Sequence, residues 1–155
     1  SLLWGSADKN VSRIYQILTK YRIFPLLSSS KSLGSRAPIH YKQLAWYIQN
    51  LLTTPVQQGI YNVMGPEVFS YDQMVTDIGR TVDGPIYLLK LNRYFLALLL
   101  RLALLIRAKA PCSILSMILR QKDDLVYFTN SLPSTLLQLP SNLTWSKLLQ
   151  DEFLT

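Results

Sequence analysis

Stretches with helical spacing alternate with short apolar runs bounded by Pro or Gly, and this alternation constrains the chain more than any other feature. Val11, Ile14, Tyr15 and Leu18 share one face at i, i+3, i+4 and i+7, which predicts a helix over about Lys9 to Lys20. Leu44, Ala45, Ile48, Leu51 and Leu52 repeat the spacing until Pro55, whose ring disfavours a helical Thr54. Ser70 and Gln73 form a capping-box pattern ahead of Tyr71, Met74, Val75, Ile78 and Val82, and Gly84-Pro85 ends that helix. Between the helices, Ile23-Phe24, Gly59 to Val63 and Ile86 to Leu89 read as strands, as does Leu125-Val126-Tyr127-Phe128 further on. The expectation is an α/β arrangement of helices with a few short strands. Ser28 to Gly34 reads as a flexible loop, and Leu132 to Leu143, with Pro133 and Pro140, is weakly patterned. No linker or repeat divides the chain, so residues 1–155 are taken as one domain, with 128–155 a weakly patterned tail.

Cys112 is the single cysteine and His40 the single histidine, which excludes an intrachain disulfide framework and a Cys/His zinc cluster. Hydrophobic residues make up 49% and charged residues only 16%, so some surface is expected to be covered by a partner. The net charge of +7 sits in two zones, Lys9 to Lys42 with seven basic residues, and Lys90 to Lys122 with seven more and no acid. No zinc-finger, RRM-type or helix-turn-helix pattern accompanies these zones, and aromatic residues are not interleaved with them, which argues against nucleic acid. The amino terminus has no signal-peptide pattern, and a cytoplasmic location is expected.

Phe95 to Ile106 is almost uniformly apolar, but Arg93 and Arg107 flank it and Arg101 interrupts it. It is too short to cross the hydrocarbon, for which a helix needs about 20 apolar residues. Two readings stand: burial against another domain or protomer, and peripheral contact of a basic, Leu-rich helix over 92–109 with an anionic membrane surface.

The run Arg36-Ala37-Pro38-Ile39-His40-Tyr41-Lys42-Gln43-Leu44-Ala45 resembles the R-D-Y-I-H-V-x-D-L-A segment of extended short-chain dehydrogenases/reductases, the NAD(P)-dependent epimerase/dehydratase group. Leu2-Leu3-Trp4-Gly5 precedes it, and Tyr61-Asn62-Val63-Met64-Gly65 and Ser70-Tyr71-Asp72-Gln73-Met74 follow it, in that group's order. The resemblance spans Leu2 to Tyr127 and implies the carboxyl-terminal, substrate-side part of a Rossmann-like enzyme. It further implies a nucleotide-sugar or similar anionic substrate, NAD or NADP in the whole protein, and an upstream dinucleotide-binding domain as partner. The sequence leaves the oligomeric state open between a monomer and a homodimer.

The cofactor and proton-transfer motifs of that group are not in this chain. Its six glycines are never closer than five positions, so no G-x-G-x-x-G turn can form. None of its nine tyrosines has Lys four residues later, so no Tyr-Lys pair for proton transfer is presented on a helix. Catalysis by the chain alone is not expected.

Among individual residues, the resemblance implies that Arg36 reaches a substrate diphosphate, a role suited to bidentate guanidinium bonding. Asn10 is expected either to bind substrate or to cap the first helix, and Arg120, with Lys122, falls where another phosphate-contacting arginine occurs. His40 reads as a structural hydrogen-bonding residue. Tyr41-Lys42-Gln43 departs from the usual V-x-D, removing an acid that would favour the helix amino terminus. The alternative to the enzyme reading is a non-catalytic binding or scaffold protein that attaches to a membrane or complex through 92–109.

Overall fold

The computed structural model describes residues 2–5, 8–28, 33–55, 58–92, 94–95, 98, 120–126 and 138–154. In chain order the described elements are β1 (Leu2–Trp4), α1 (Val11–Tyr21), β2 (Ile23–Leu27), β3 (Ser35–Arg36), β4 (Pro38–His40), α2 (Tyr41–Thr53), β5 (Phe69–Ser70), α3 (Tyr71–Arg80), β6 (Tyr87–Leu91) and α4 (Trp145–Phe153). Single 3-10 turns occupy Arg120–Lys122 and Ser141–Leu143. The chain is mixed α/β, as its alternating pattern implies.

β1 and β4 pair in parallel, with Leu3 opposite Ile39 and Trp4 opposite His40. Partners across a ladder point to the same face, so Trp4 and His40 lie on one side, where their rings meet edge to face at 4.4 Å. Ile39 points to the other side and packs with Tyr47 of α2. Trp4 belongs to the larger core, which α1, α3, β2 and α4 fill with Val11, Leu18, Phe24, Met74, Ile78 and Leu148. Helices therefore cover both faces of this parallel pair, the arrangement parallel strands require. β2 pairs with β6 in parallel from Ile23–Tyr87 to Leu27–Leu91, and β3 pairs with β5 antiparallel.

The inward faces of α1 and α3 follow the sequence pattern: Val11, Ile14 and Leu18 are buried on one, and Tyr71, Met74, Val75 and Ile78 on the other. The capping box of α3 forms as its spacing requires, with Gln73 N donating to Ser70 Oγ at 3.4 Å and Ser70 N to Gln73 Oε1 at 3.0 Å. On α2 the expected set is split, with Leu44 and Leu51 partly buried against the Ile39–Tyr47 cluster and the rest turned outward. Gln43 and Tyr47 are the buried residues, whereas Ile48 and Leu52 are 50% and 83% exposed. The cause is polar: Gln43 Oε1 accepts from His40 N at 2.8 Å and its Nε2 donates to Leu143 O at 2.7 Å. That pair of bonds turns the Gln43–Tyr47 stripe inward, and an Asp at this position has no amide to make the second bond.

The run at 59–63 does not form a strand; only Asn62 makes a bridge there. Leu125 makes a single parallel bridge to Arg36, and 127–128 lie outside the described residues, as do 29–32 of the expected Ser28–Gly34 loop. The sequence pattern also missed α4. This helix has nine residues, too few to persist alone, so packing must hold it. Trp145, Leu148 and Leu149 are buried at i, i+3 and i+4, each burial contributing about 1.5–3 kcal/mol. Glu67 Oε1 accepts from Trp145 N at 3.0 Å at its start, and Tyr15 donates to Phe153 O at 3.0 Å at its end. One glycine is dictated by close approach: Gly65 passes Pro38 so tightly that a Cβ would lie 1.8 Å from the Pro38 carbonyl oxygen.

Candidate functional site

The segment 120–125 crosses the chain between β2 and β3 and is held by side chains distant in sequence. Gln121 is fully buried; its Oε1 accepts from Leu27 N at 2.8 Å and its Nε2 donates to Pro25 O at 3.0 Å. Gly34 N donates to Gln121 O at 2.8 Å, and Leu125 N to Ser35 O at 2.9 Å. The Gly34 backbone comes so near that a Cβ there would sit 2.2 Å from the Asp123 carbonyl oxygen.

Arg36 ties this segment down. It is 3% exposed. Its Nη2 donates to Arg120 O at 2.6 Å, and its Nη1 donates to Ser35 O at 2.9 Å and to Asp123 O. The guanidinium lies over the Tyr71 ring, 5.4 Å from its centroid, within cation–π range. Burial lowers the Arg36 pKa, opposed by Tyr71, Asp123 and Asp124. Burial likewise pushes the Tyr71 phenol up to about 12, against the neighbouring guanidinium. The Asp124 carboxyl is held below its usual range by the Ser35 backbone N–H, 2.6 Å from Oδ1.

The three residues singled out by sequence are not gathered into one pocket. Arg36 joins Arg120 through the Arg120 carbonyl, while the Arg120 residue itself is exposed. Asn10 lies beyond the carboxyl end of β1, and Arg36 precedes the amino end of the parallel strand β4, so the ladder separates them. A cavity of about 440 Å³ along the outer side of α3, lined by Phe69, Asp72, Gln73, Thr76, Asp77 and Arg80 among others, takes in none of the three.

Asn10 does not cap α1 with its side chain. The cap is Asp8, whose Oδ1 accepts from Val11 N and whose Oδ2 accepts from Ser12 N, each at 2.8 Å. A carboxylate at a helix amino terminus is favoured by the helix dipole as well as by these bonds. Asp8→Ala is therefore expected to lower stability by about 1–2 kcal/mol in urea unfolding, whereas Asn10→Ala shifts the transition by less than about 0.5 kcal/mol. The reverse order would return the cap to Asn10.

The same geometry tests the chain for a dinucleotide. A pyrophosphate binds free amides at a helix amino terminus. Here Asp8 occupies those of α1, the His40 ring caps α2, Ser70 caps α3, and Glu67 takes the first amide of α4. Each described helix start therefore already has at least one of its amides bonded to a side chain of this chain. The described residues gather no group of three His, Cys, Asp or Glu side chains suited to a metal ion.

His40 is a fully buried junction. Nδ1 accepts from Lys42 N at 3.3 Å, which places the ring proton on Nε2, 2.9 Å from Glu152 Oε1 of α4. Burial lowers the His40 pKa, opposed by Glu152. With Trp4 against one side of the ring and Tyr41 tilted on it at 4.4 Å, the imidazole has a structural role. Sequence reasoning missed Asp8, Gln121 and Glu152. An Asp three residues before a helix start was the one local signal, while Gln121 and Glu152 act across 94 and 112 residues.

No known family model matches this chain, and no curated protein matches it.

Proposed function

We propose that the chain is the substrate-side portion of an NAD(P)-dependent epimerase, dehydratase or reductase similar to the extended short-chain dehydrogenases/reductases, inactive alone and completed by a dinucleotide-binding domain. What supports this reading is the parallel ladder: Leu2–Trp4 and Pro38–His40, the two segments carrying the resemblance, are adjacent strands in register with helices on both faces. Parallel pairs of this kind belong to larger covered sheets. Leu3 of β1 and Ile48 and Leu52 of α2 are about half exposed or more, apolar surface that an added domain would cover.

In this reading the substrate is anionic and of nucleotide-sugar type. Asn10, exposed beyond the carboxyl end of β1, is the residue that contacts it, and Arg36 is a positioning residue that holds the segment carrying the exposed Arg120, which the ladder separates from Asn10. The cofactor, NAD or NADP, belongs to the other domain. The coding region upstream of Ser1 tests the assignment: a glycine-rich turn and a Tyr-x-x-x-Lys pair are expected there. A reading frame that starts at Ser1 would remove the enzyme reading.

Peripheral membrane contact is the second reading. Among the described residues no helix is long and apolar enough to cross a membrane. Tyr94, Phe95 and Leu98 are helical and are 75%, 50% and 53% exposed.

A further inference from the structure

Arg36 is engaged by carbonyl groups before the amino end of β4, so an anionic substrate held by Asn10 at the other end of the ladder needs a different cation. In parallel α/β sheets, ligands lie outside the carboxyl ends of the strands. β1 and β4 end side by side at Trp4 and His40, and the first two residues of α2 follow at once. These are Tyr41, which stands where the resembling segment has Val, and Lys42.

Contacts join the starts of α1 and α2 at this end. The carbonyl of Gly5, the residue after β1, accepts from Asp8 N at 3.1 Å and from Ser12 Oγ at 2.6 Å, and Asp8 Oδ1 accepts from Asn10 N. The Gly5 backbone also lies against the Tyr41 ring, so closely that a Cβ would sit 2.7 Å from Cδ1. Asn10 and Tyr41 are thus linked through Asp8 and Gly5. The buried His40 ring, tilted against Tyr41 at 4.4 Å, holds the phenol from the protein side, while 48% of Tyr41 stays exposed. Lys42 Nζ lies 5.9 Å from the centroid of the same ring. Burial first, and the Lys42 charge after it, lower the His40 pKa against Glu152, which puts the ammonium within electrostatic reach of the imidazole. The Asn10 side chain makes no cap bond and remains available to a ligand.

We infer that Tyr41 and Lys42 set the specificity of this site, the exposed part of the Tyr41 ring taking the base of a nucleoside diphosphate and the Lys42 ammonium its phosphates. A ring held by its neighbours stacks on a base with little ordering cost, and tolerates different bases because each has a π-face. An ammonium on a flexible stem meets phosphate as a point charge. Valine at position 41 would offer neither a flat surface nor a cation–π partner for Lys42. The inference rests on the enzyme reading and supplies the cation that Asn10 cannot.

Calorimetric titration with uridine, cytidine and guanosine diphosphates tests it. The protein is that encoded by the complete reading frame, saturated with NADH or NADPH so that the dinucleotide site is filled. At least one diphosphate is expected to bind, with affinity lower by about tenfold or more in Tyr41→Ala and unchanged in Tyr41→Phe. Lys42→Met will also weaken binding and reduce its dependence on salt. Neither position is buried, so circular dichroism and the urea midpoint will verify that the variants are folded. Should the folded wild type bind none of the three, the nucleotide-sugar reading falls and this inference with it. Wild-type binding that Tyr41→Ala and Lys42→Met leave unchanged would keep that reading and overturn the assignment of these two residues.

Discussion

Replacing Arg36 by alanine is expected to lower stability by about 3 kcal/mol, because it strips hydrogen-bond donors from the carbonyls of Ser35, Arg120 and Asp123 and the cation from the Tyr71 ring. The figure is kept below that for an isolated buried ion pair because Arg120 and Asp123 are themselves exposed, and water will reach their carbonyls once the guanidinium is gone. The effect will be local first. The amides of Gly34 and Leu125, which donate to Gln121 O and Ser35 O, will lose hydrogen-exchange protection before the amides of α1 and α3 do. Arg36→Lys will recover less than half of the loss, since one ammonium cannot span carbonyls on both sides of the 3-10 turn as the planar fork does. Urea unfolding together with exchange at Gly34 and Leu125 checks this. An Arg36→Ala variant with wild-type stability and protection would mean that the guanidinium does not hold the 120–125 segment.

Acidification is expected to destabilise the fold through His40. Its folded pKa lies below the ordinary 6.5 because burial penalises the imidazolium. The unfolded chain therefore binds the proton first as pH falls. The sign follows: stability contributed by the neutral ring is present above about pH 6.5 and is lost as pH drops from there toward the folded value. His40→Asn retains an acceptor for the α2 cap but not the bond to Glu152, nor the ring against Trp4. It should cost about 2–3 kcal/mol at pH 7.5. The same change removes the titration, so the gap between wild type and variant must narrow between pH 7.5 and 5.5. Parallel stability profiles over that window would assign the pH dependence to other groups.

How much was legible in the sequence depended on how local the deciding interaction is. The α3 capping box joins Ser70 to Gln73 within one turn, and its inward face from Tyr71 to Ile78 has no polar competitor, so pattern and structure agree. α2 has the same apolar spacing, but Gln43 is drawn inward by His40 N and by Leu143 O a hundred residues away, and it takes Tyr47 with it. α4 carries Trp145, Leu148 and Leu149 at helical spacing, yet follows a proline-containing stretch. Its ends are closed by Glu67 and Tyr15, neither of which announces that role locally. Arg36 stood out in the sequence, but its partners at 120–123 lie more than eighty positions on, so the residue was legible and its surroundings were not. At α1 the sequence reading offers only Asn10 as a cap, whereas the cap is Asp8. Asp8 prevails because one carboxylate serves several amides where an Asn side-chain oxygen serves fewer.

Cofactor binding by the protein encoded by the complete reading frame tests the central claim most directly. Titration with NADH and NADPH, followed by nicotinamide fluorescence, is expected to show saturable binding of at least one of them. A nucleotide-sugar should then bind the cofactor-loaded protein, with affinity reduced at least tenfold in Asn10→Ala while the urea midpoint holds. Absence of binding by either dinucleotide, in a protein shown to be folded, would contradict the assignment of this chain to an NAD(P)-dependent enzyme.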